Sequence, residues 1–326
     1  MQTTTLGPLD NVSRITLGGG GLGQIWGETT SEEAIATVRA AVDGGVTLID
    51  TAPMYRHCEA VIGAAFEGRL PRHMRVTTKC FLGSPAPAEV AGRLELSLDA
   101  SLEAMRLERA DIFFLHSNLC EPDYIYENFQ NRRDRFATTW SVYANQVVAT
   151  MQRLRASGRI VAWGITGVGV PSTILKAIAH DPAPQVVQAV SNLLDSAGSM
   201  RNFAEPADPR RVIAAATRRG IGVMGIRAVQ AGALTASIDR PLSENDADAI
   251  DYRRAAPFRA LCAEMGVDPA LAAHRYALGV TGVDTVVIGV KNRDELKQCL
   301  EAEALGPLPA DILARIEALG LRPGPV

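Results

Sequence analysis

An alternation constrains this chain more than any other feature. Eight short β-rich apolar runs are each followed by a stretch with helical spacing. The runs are Ser13–Leu17, Val46–Asp50, Met74–Lys79, Ala110–His116, Arg159–Thr166, Pro184–Ser191, Ile221–Arg227 and Val283–Val290. They are mostly continuous rather than alternating apolar, as strands are when a parallel sheet buries both faces. Parallel neighbours need long crossovers, and the helical stretches supply them. Eight such units in 326 residues predict one closed (β/α)8 barrel, the TIM-barrel architecture, as a single domain over residues 1–326. An open doubly wound sheet has the same periodicity and stays the alternative. The first helix reads as capped by Ser31, with Glu32 and Glu33 in its first turn and Gly44–Gly45 as its stop.

Two connections, 117–141 and 228–268, are unusually long. Both follow strands, so a barrel puts both on its C-terminal face, where active sites lie. The first carries Tyr124, Tyr126, Phe129, Phe136 and Trp140. Disordered segments are poor in aromatics, so this one reads as a folded flap, or as a satellite core over the barrel end. The second is acidic around residues 243–251.

Composition narrows the function classes. With 47% apolar and 21% charged residues the chain can bury a full core without staples. A net charge of −3 gives no reason to expect nucleic acid or an anionic membrane surface as partner. Five scattered cysteines include no C-x-x-C and fit neither a disulfide framework nor a zinc module. No basic-then-apolar leader opens the sequence, and no apolar run approaches ~18 residues. A reducing, cytoplasmic setting is therefore expected.

Chemistry collects at the strand ends. Asp50, Lys79 and His116 close three successive runs, and Tyr55 follows Asp50 in the next loop. Singly, each has an ordinary explanation: a helix cap, a snorkelling lysine, a hydrogen-bonded histidine. Together they form a proton-donating set. A phenol with pKa ~10 is a poor acid at neutral pH unless its anion is stabilised. An ammonium at Lys79 supplies that stabilisation, and a buried ammonium needs a counter-ion such as Asp50. An imidazole at His116 orients a carbonyl oxygen. No side chain donates hydride, so a nicotinamide cofactor is implied.

Two rivals are weaker. A literal G-x-G-x-x-G runs through Gly18, Gly20 and Gly23, but seven residues separate it from Ser31. A Rossmann phosphate site needs the glycines to open the helix directly. A metal-dependent hydrolase would need strand-end ligand pairs, and His116 has no H-x-H partner, so no metal is expected.

Asp50-Thr51-Ala52-Pro53-Met54-Tyr55 followed by Glu59, with Lys79 in TTK and His116 in FLH, resembles the aldo-keto reductase superfamily. The resemblance runs from Arg14 to about Leu300. It implies that Tyr55 is the general acid/base, that Lys79 and Asp50 tune it, and that His116 positions the substrate oxygen. It also implies a nicotinamide dinucleotide stretched across the barrel mouth, NADP(H) by preference with NAD(H) as the alternative.

Cofactor positions follow from the same resemblance. Gly20 and Gly21 match the glycine turn after the first strand. Gln188 matches the residue holding the nicotinamide carboxamide, with Ser191–Asn192 completing its motif. Thr166–Gly167 replaces the family's Ser-Asn. Across Ile226–Leu234, Ile226 replaces the stacking aromatic, Arg227 is a candidate pyrophosphate contact, and Ala228, Gly232 and Leu234 complete the turn. Gly289 and Lys291 mark the adenosine end, with Lys291 as a 2′-phosphate partner. Glu295 would repel that phosphate. Gln298 and Cys299 close the motif, Cys299 replacing an Asn. Trp26, Arg56 and Trp140 are candidate substrate contacts, Arg56 favouring polar or anionic carbonyl compounds.

The expected function is reduction of an aldehyde, ketone or aldose, with a small carbonyl compound or sugar as the expected partner and the oligomeric state left open. The same residues can oxidise a hemiacetal or alcohol with Tyr55 as base. A cofactor-sensing subunit without turnover is the reading from another class.

Overall fold

The computed structural model describes residues 1–127 and 130–323. The chain opens with an antiparallel pair, β1 (Thr3–Leu6) and β2 (Leu9–Ser13), turning through Gly7 at φ +54°. Strands β3 (Ile15–Gly18), β4 (Leu48–Asp50), β5 (Arg75–Cys80) and β6 (Ala110–Leu115) follow. A two-stranded parallel ribbon, β7 (Asn118–Cys120) and β8 (Ala137–Thr139), interrupts the series. Then come β9 (Ile160–Thr166), β10 (Val186–Val190), β11 (Gly222–Ile226) and β12 (Thr285–Gly289). β3, β4, β5, β6, β9, β10, β11 and β12 pair in that order, all parallel, and β12 returns to β3. The predicted closed (β/α)8 barrel is present, and the open sheet is excluded.

Period-2 alternation divides the barrel interior into layers. Leu48, Ile112, Phe114, Ala162, Val186 and Met224 pack together inside, and Leu6, Leu9 and Val12 of the hairpin close the floor beneath them. That hairpin was not expected from the sequence, because its strands are short and half polar. Two residues further along the same strands come Asp50, His116, Gln188 and Ile226. An apolar floor thus carries a mostly polar rim.

Helix ends follow local chemistry. Thr30, not Ser31, caps the first long helix, Ser31–Asp43: its Oγ1 accepts the Glu33 N–H at 3.1 Å, and Ser31 is already helical. Asn292 caps Arg293–Leu305 in the same way, accepting the Glu295 N–H at 2.9 Å. A final helix, Ala310–Glu317, lies beyond the predicted elements.

Both long connections are folded. The first wraps its ribbon around Cys120, Tyr126 and Ala137, with Tyr124 and Phe136 at the edge and Val170 and Phe203 opposite. Phe129 lies outside the described residues. The second contains helices Ala247–Arg254 and Ala256–Met265. Its acidic run is not a solvated face, since Asp248 and Asp251 are buried. Asp248 accepts from Arg227 Nη2 at 2.6 Å, Ser199 Oγ at 2.9 Å and Arg240 Nη2 at 3.2 Å. These bonds tie the long segment to the barrel rim. No helix of the described residues is long and apolar enough to cross a membrane.

Candidate active site

Three consecutive barrel strands deliver the reactive groups. Asp50 ends β4, Lys79 lies one residue before the end of β5, and His116 follows β6, its N–H donating to the Cys80 carbonyl at 2.8 Å. Tyr55 closes a 3₁₀ turn, Pro53–Tyr55, whose first φ the proline presets. Gly23 lets this turn seat against the loop after β3, because a Cβ there would lie 1.7 Å from the Tyr55 carbonyl oxygen.

The four groups converge. The fully buried Lys79 Nζ donates to Asp50 Oδ2 at 2.7 Å, to the Thr51 carbonyl at 2.9 Å and to the Tyr55 hydroxyl at 3.2 Å. The Tyr55 and His116 rings meet edge to face, 6.0 Å between centroids. Asp50 Oδ1 accepts from Thr77 Oγ1 at 2.6 Å and from Gln188 Nε2 at 2.7 Å, so the carboxylate is held at both oxygens. Glu59 stands behind this group. It accepts from Thr78 Oγ1 at 2.6 Å, tying the helix Cys58–Phe66 to β5.

Burial and charge set the protonation states. Burial pushes the Lys79 ammonium down, but the Asp50 carboxylate and the Tyr55 hydroxyl outweigh it, leaving the pKa above the ordinary value. Burial raises the Tyr55 phenol, and the Lys79 charge offsets this only in part. Tyr55 therefore rests as the neutral phenol and Lys79 as the cation. Burial, reinforced by Lys79, pushes His116 down to about 3, so its imidazole is neutral at any ordinary pH.

Two polar atoms at the rim have no protein partner. Thr166 Oγ1, beside Gln188 in the β9–β10 register, and His116 Nδ1 are buried and unsatisfied. Such groups are costly unless a ligand or water completes them. Gly21 lies against the Val290 carbonyl, where a Cβ would come within 2.2 Å, so the backbone of the β3 loop packs against the end of β12. Unpaired polar atoms at the rim fit a carboxamide-bearing nicotinamide cofactor.

The other predicted positions divide. The Gln188 amide nitrogen is given to Asp50, a role the sequence did not reveal. Asn192 pins loops by donating to Gln230 Oε1 at 3.0 Å and to the Arg227 carbonyl. Arg227, at φ +61°, places its guanidinium on Gln230 Oε1 at 2.8 Å and on Asp248. Ile226 packs with Val168 and Val190, Ala228 and Leu234 are buried, and Gly232 sits at φ +90°. Trp26 lies over Gly20 and near Gly289, with the Arg240 guanidinium 5.7 Å from its ring. Lys291 pairs with Asp239 and with Glu295 at 3.3 Å, while Glu295 also accepts the Lys291 N–H at 2.8 Å. Gln298 is exposed, and the Cys299 thiol turns inward to His274 Nε2 at 3.6 Å. Arg56 donates to the Gln24 carbonyl at 3.1 Å. Trp140 packs in the helical layer against Tyr143, His180 and the Lys176 ammonium. Phe81 and Arg93, which line the cavity beside Lys79 and His116, carried no motif and were missed, and Met54, inside the Asp50–Tyr55 segment, was given no role.

Among the described residues no group of three or more His, Cys, Asp and Glu side chains could hold a metal ion. The barrel rim brings together a neutral phenol, a paired ammonium and a neutral imidazole, and the fold and family are those of NAD(P)-dependent oxidoreductases. The chain belongs to the Aldo/keto reductase family, whose model matches residues 14–320.

The chain is 23% identical to L-galactose dehydrogenase of Arabidopsis thaliana, over 94% of its own length and 90% of the relative's. It is 28% identical to methylglyoxal reductase YeaE of Escherichia coli over 44% and 42% of the two chains. The structure of aldo-keto reductase AKR11C1 from Bacillus halodurans, in its holo form, superposes with TM-score 0.71, 19% identity and coverage of 98% and 96%. Glycerol dehydrogenase AKR11B4 from Gluconobacter oxydans gives TM-score 0.69, 19% identity and coverage of 97% and 94%. The two structural likenesses carry the fold alone.

Proposed function

We propose that this enzyme reduces a small aldehyde or ketone, with Tyr55 as the proton donor. The observation that carries the reading is the 3.2 Å contact between Lys79 Nζ and the Tyr55 hydroxyl, with Lys79 locked to Asp50 at 2.7 Å. A nicotinamide cofactor supplies the hydride when bound, with Thr166 and Gln188 holding its carboxamide. His116, neutral and half-buried, offers a ring N–H to the substrate carbonyl oxygen. The Tyr55 hydroxyl delivers the proton to that oxygen as negative charge develops. The resulting phenolate lies beside the Lys79 ammonium, and Asp50 holds that ammonium in place. Tyr55 acts as base when the same groups oxidise an alcohol or hemiacetal, and the relative named as L-galactose dehydrogenase supports that direction as the second reading. All five cysteines are free and buried, which supports a cytoplasmic setting. The test is turnover of short aldehydes by the purified chain with NADPH and with NADH. Oxidation of either cofactor dependent on the aldehyde is expected, and cofactor binding without turnover would favour a sensing subunit.

The family resemblance favours NADP(H), but the adenosine end supports NAD(H) as an alternative. There the cations are already matched: Lys291 by Asp239 and Glu295, and Arg293 by Glu33 at 2.9 Å. A 2′-phosphate would meet carboxylates rather than free cations. Glu295→Arg is expected to shift the ratio of the two dissociation constants toward NADPH by about tenfold, the scale of one charged hydrogen bond. Parallel fluorescence titrations measure it, and an unmoved ratio would reject Glu295 as a selector.

A further inference from the structure

A cavity of about 240 Å³ opens beside the catalytic groups. Lys79, His116, Met54 and Phe81 are among the residues lining it. Phe81 packs edge-on to His116, 6.1 Å between ring centroids, and is 38% exposed. Arg93 and Ser97, on the helix Val90–Met105, line it too. Their i, i+4 spacing puts both on one face of that helix. Val90, Leu94 and Leu98 occupy the face buried in the core. The lining therefore holds two cations and no acidic residue. Lys79 is neutralised by Asp50, which leaves Arg93 as the other charge in the lining.

We infer that Arg93, with the Ser97 hydroxyl, forms a subsite for an anionic group on the carbonyl substrate, a carboxylate or a phosphate. The inference rests on the carbonyl-reducing reading above. A space of this volume takes a short chain, on the order of eight waters' worth. His116 and Arg93 line the same space, so a substrate whose carbonyl sits at His116 can set its other end against Arg93. The Arg93 fork has five N–H donors, and its bond to Glu89 Oε2, at 2.9 Å, uses one Nη2 hydrogen. That pair is exposed on both sides, so a ligand anion displaces it at little cost. Arg56, the cation the sequence pointed to, is anchored on the Gln24 carbonyl and is not part of the lining.

Matched substrates test this. Succinic semialdehyde is compared with its methyl ester, and glyceraldehyde phosphate with glyceraldehyde. For at least one pair the charged member is expected to have the higher kcat/KM, and the preferred pair identifies the anion. Arg93→Ala should lower the charged-to-neutral ratio about tenfold, mainly through KM, and Arg93→Lys should restore part of it. Glu89→Gln frees the guanidinium and should raise the ratio, which keeps the test valid if Arg93→Ala folds poorly. Turnover of all four aldehydes with no charge preference, or a ratio that Arg93→Ala leaves unmoved while Arg56→Ala abolishes it, overturns the subsite. Absence of turnover with every aldehyde and both cofactors instead overturns the carbonyl-reducing reading, and the subsite falls with it.

Discussion

Tyr55→Phe is expected to lower kcat for carbonyl reduction about a thousandfold, the scale of a lost general acid. The change removes one oxygen and leaves the ring that meets His116 edge to face. Lys79 keeps its bonds to Asp50 and to the Thr51 carbonyl, so the ammonium stays satisfied and the barrel rim keeps its shape. Cofactor affinity should therefore remain within about twofold of wild type, since the lost hydroxyl contacts Lys79 and the side chains proposed to hold the cofactor are untouched. Stopped-flow turnover, paired with a fluorescence titration of NADPH and NADH, separates the two quantities. A variant that reduces aldehydes at the wild-type rate would mean that another group donates the proton.

Lys79→Met should damage both stability and rate. Breaking a buried ion pair by deleting one partner costs about 3–5 kcal/mol, because the surviving charge stays desolvated. Asp50 retains its bonds from Thr77 and Gln188, so the lower end of that range is expected here. On the rate side, Lys79 is the group that opposes the upward push of burial on the Tyr55 phenol. Without it the phenol becomes a weaker acid, and kcat should fall by at least about a hundredfold. Urea denaturation gives the first quantity and single-turnover kinetics the second. A stable Lys79→Met protein with unaltered turnover would refute the ammonium's part in both.

The convergence of Asp50, Tyr55, Lys79 and His116 was legible because short local patterns carry it. Asp50 to Tyr55 is one uninterrupted segment, and Lys79 and His116 each end an apolar run. A run buried on both faces identifies a strand, and a strand's end in a parallel barrel identifies the rim. The direction of one balance was not legible. Lysine beside tyrosine suggests a lowered phenol, yet burial of Tyr55 outweighs Lys79 and the net shift is upward. Burial is a property of the surroundings and leaves no mark on the two residues concerned.

Residues whose meaning depends on a partner were read less well. Arg227 looked free for an anion, but Asp248 and Gln230 hold it. The acidic run of the second long connection suggested no role, but Asp248 and Asp251 are its buried anchors. Arg93 carried no motif, and only its place in the lining of a cavity shared with His116 makes it a candidate.

Strand and helix periodicity, the number of βα units and the strand-end placing of Asp50, Lys79 and His116 are properties of neighbouring residues, so the linear chain specifies them. Closure of the sheet, the hairpin floor and the pairing of charges join residues far apart. Gln188 reaches Asp50 across 138 positions, and Lys291 meets Asp239 across 52. Such contacts exist only after the chain has returned on itself. A polar side chain has several possible partners, and packing selects among them by which are left desolvated and in reach.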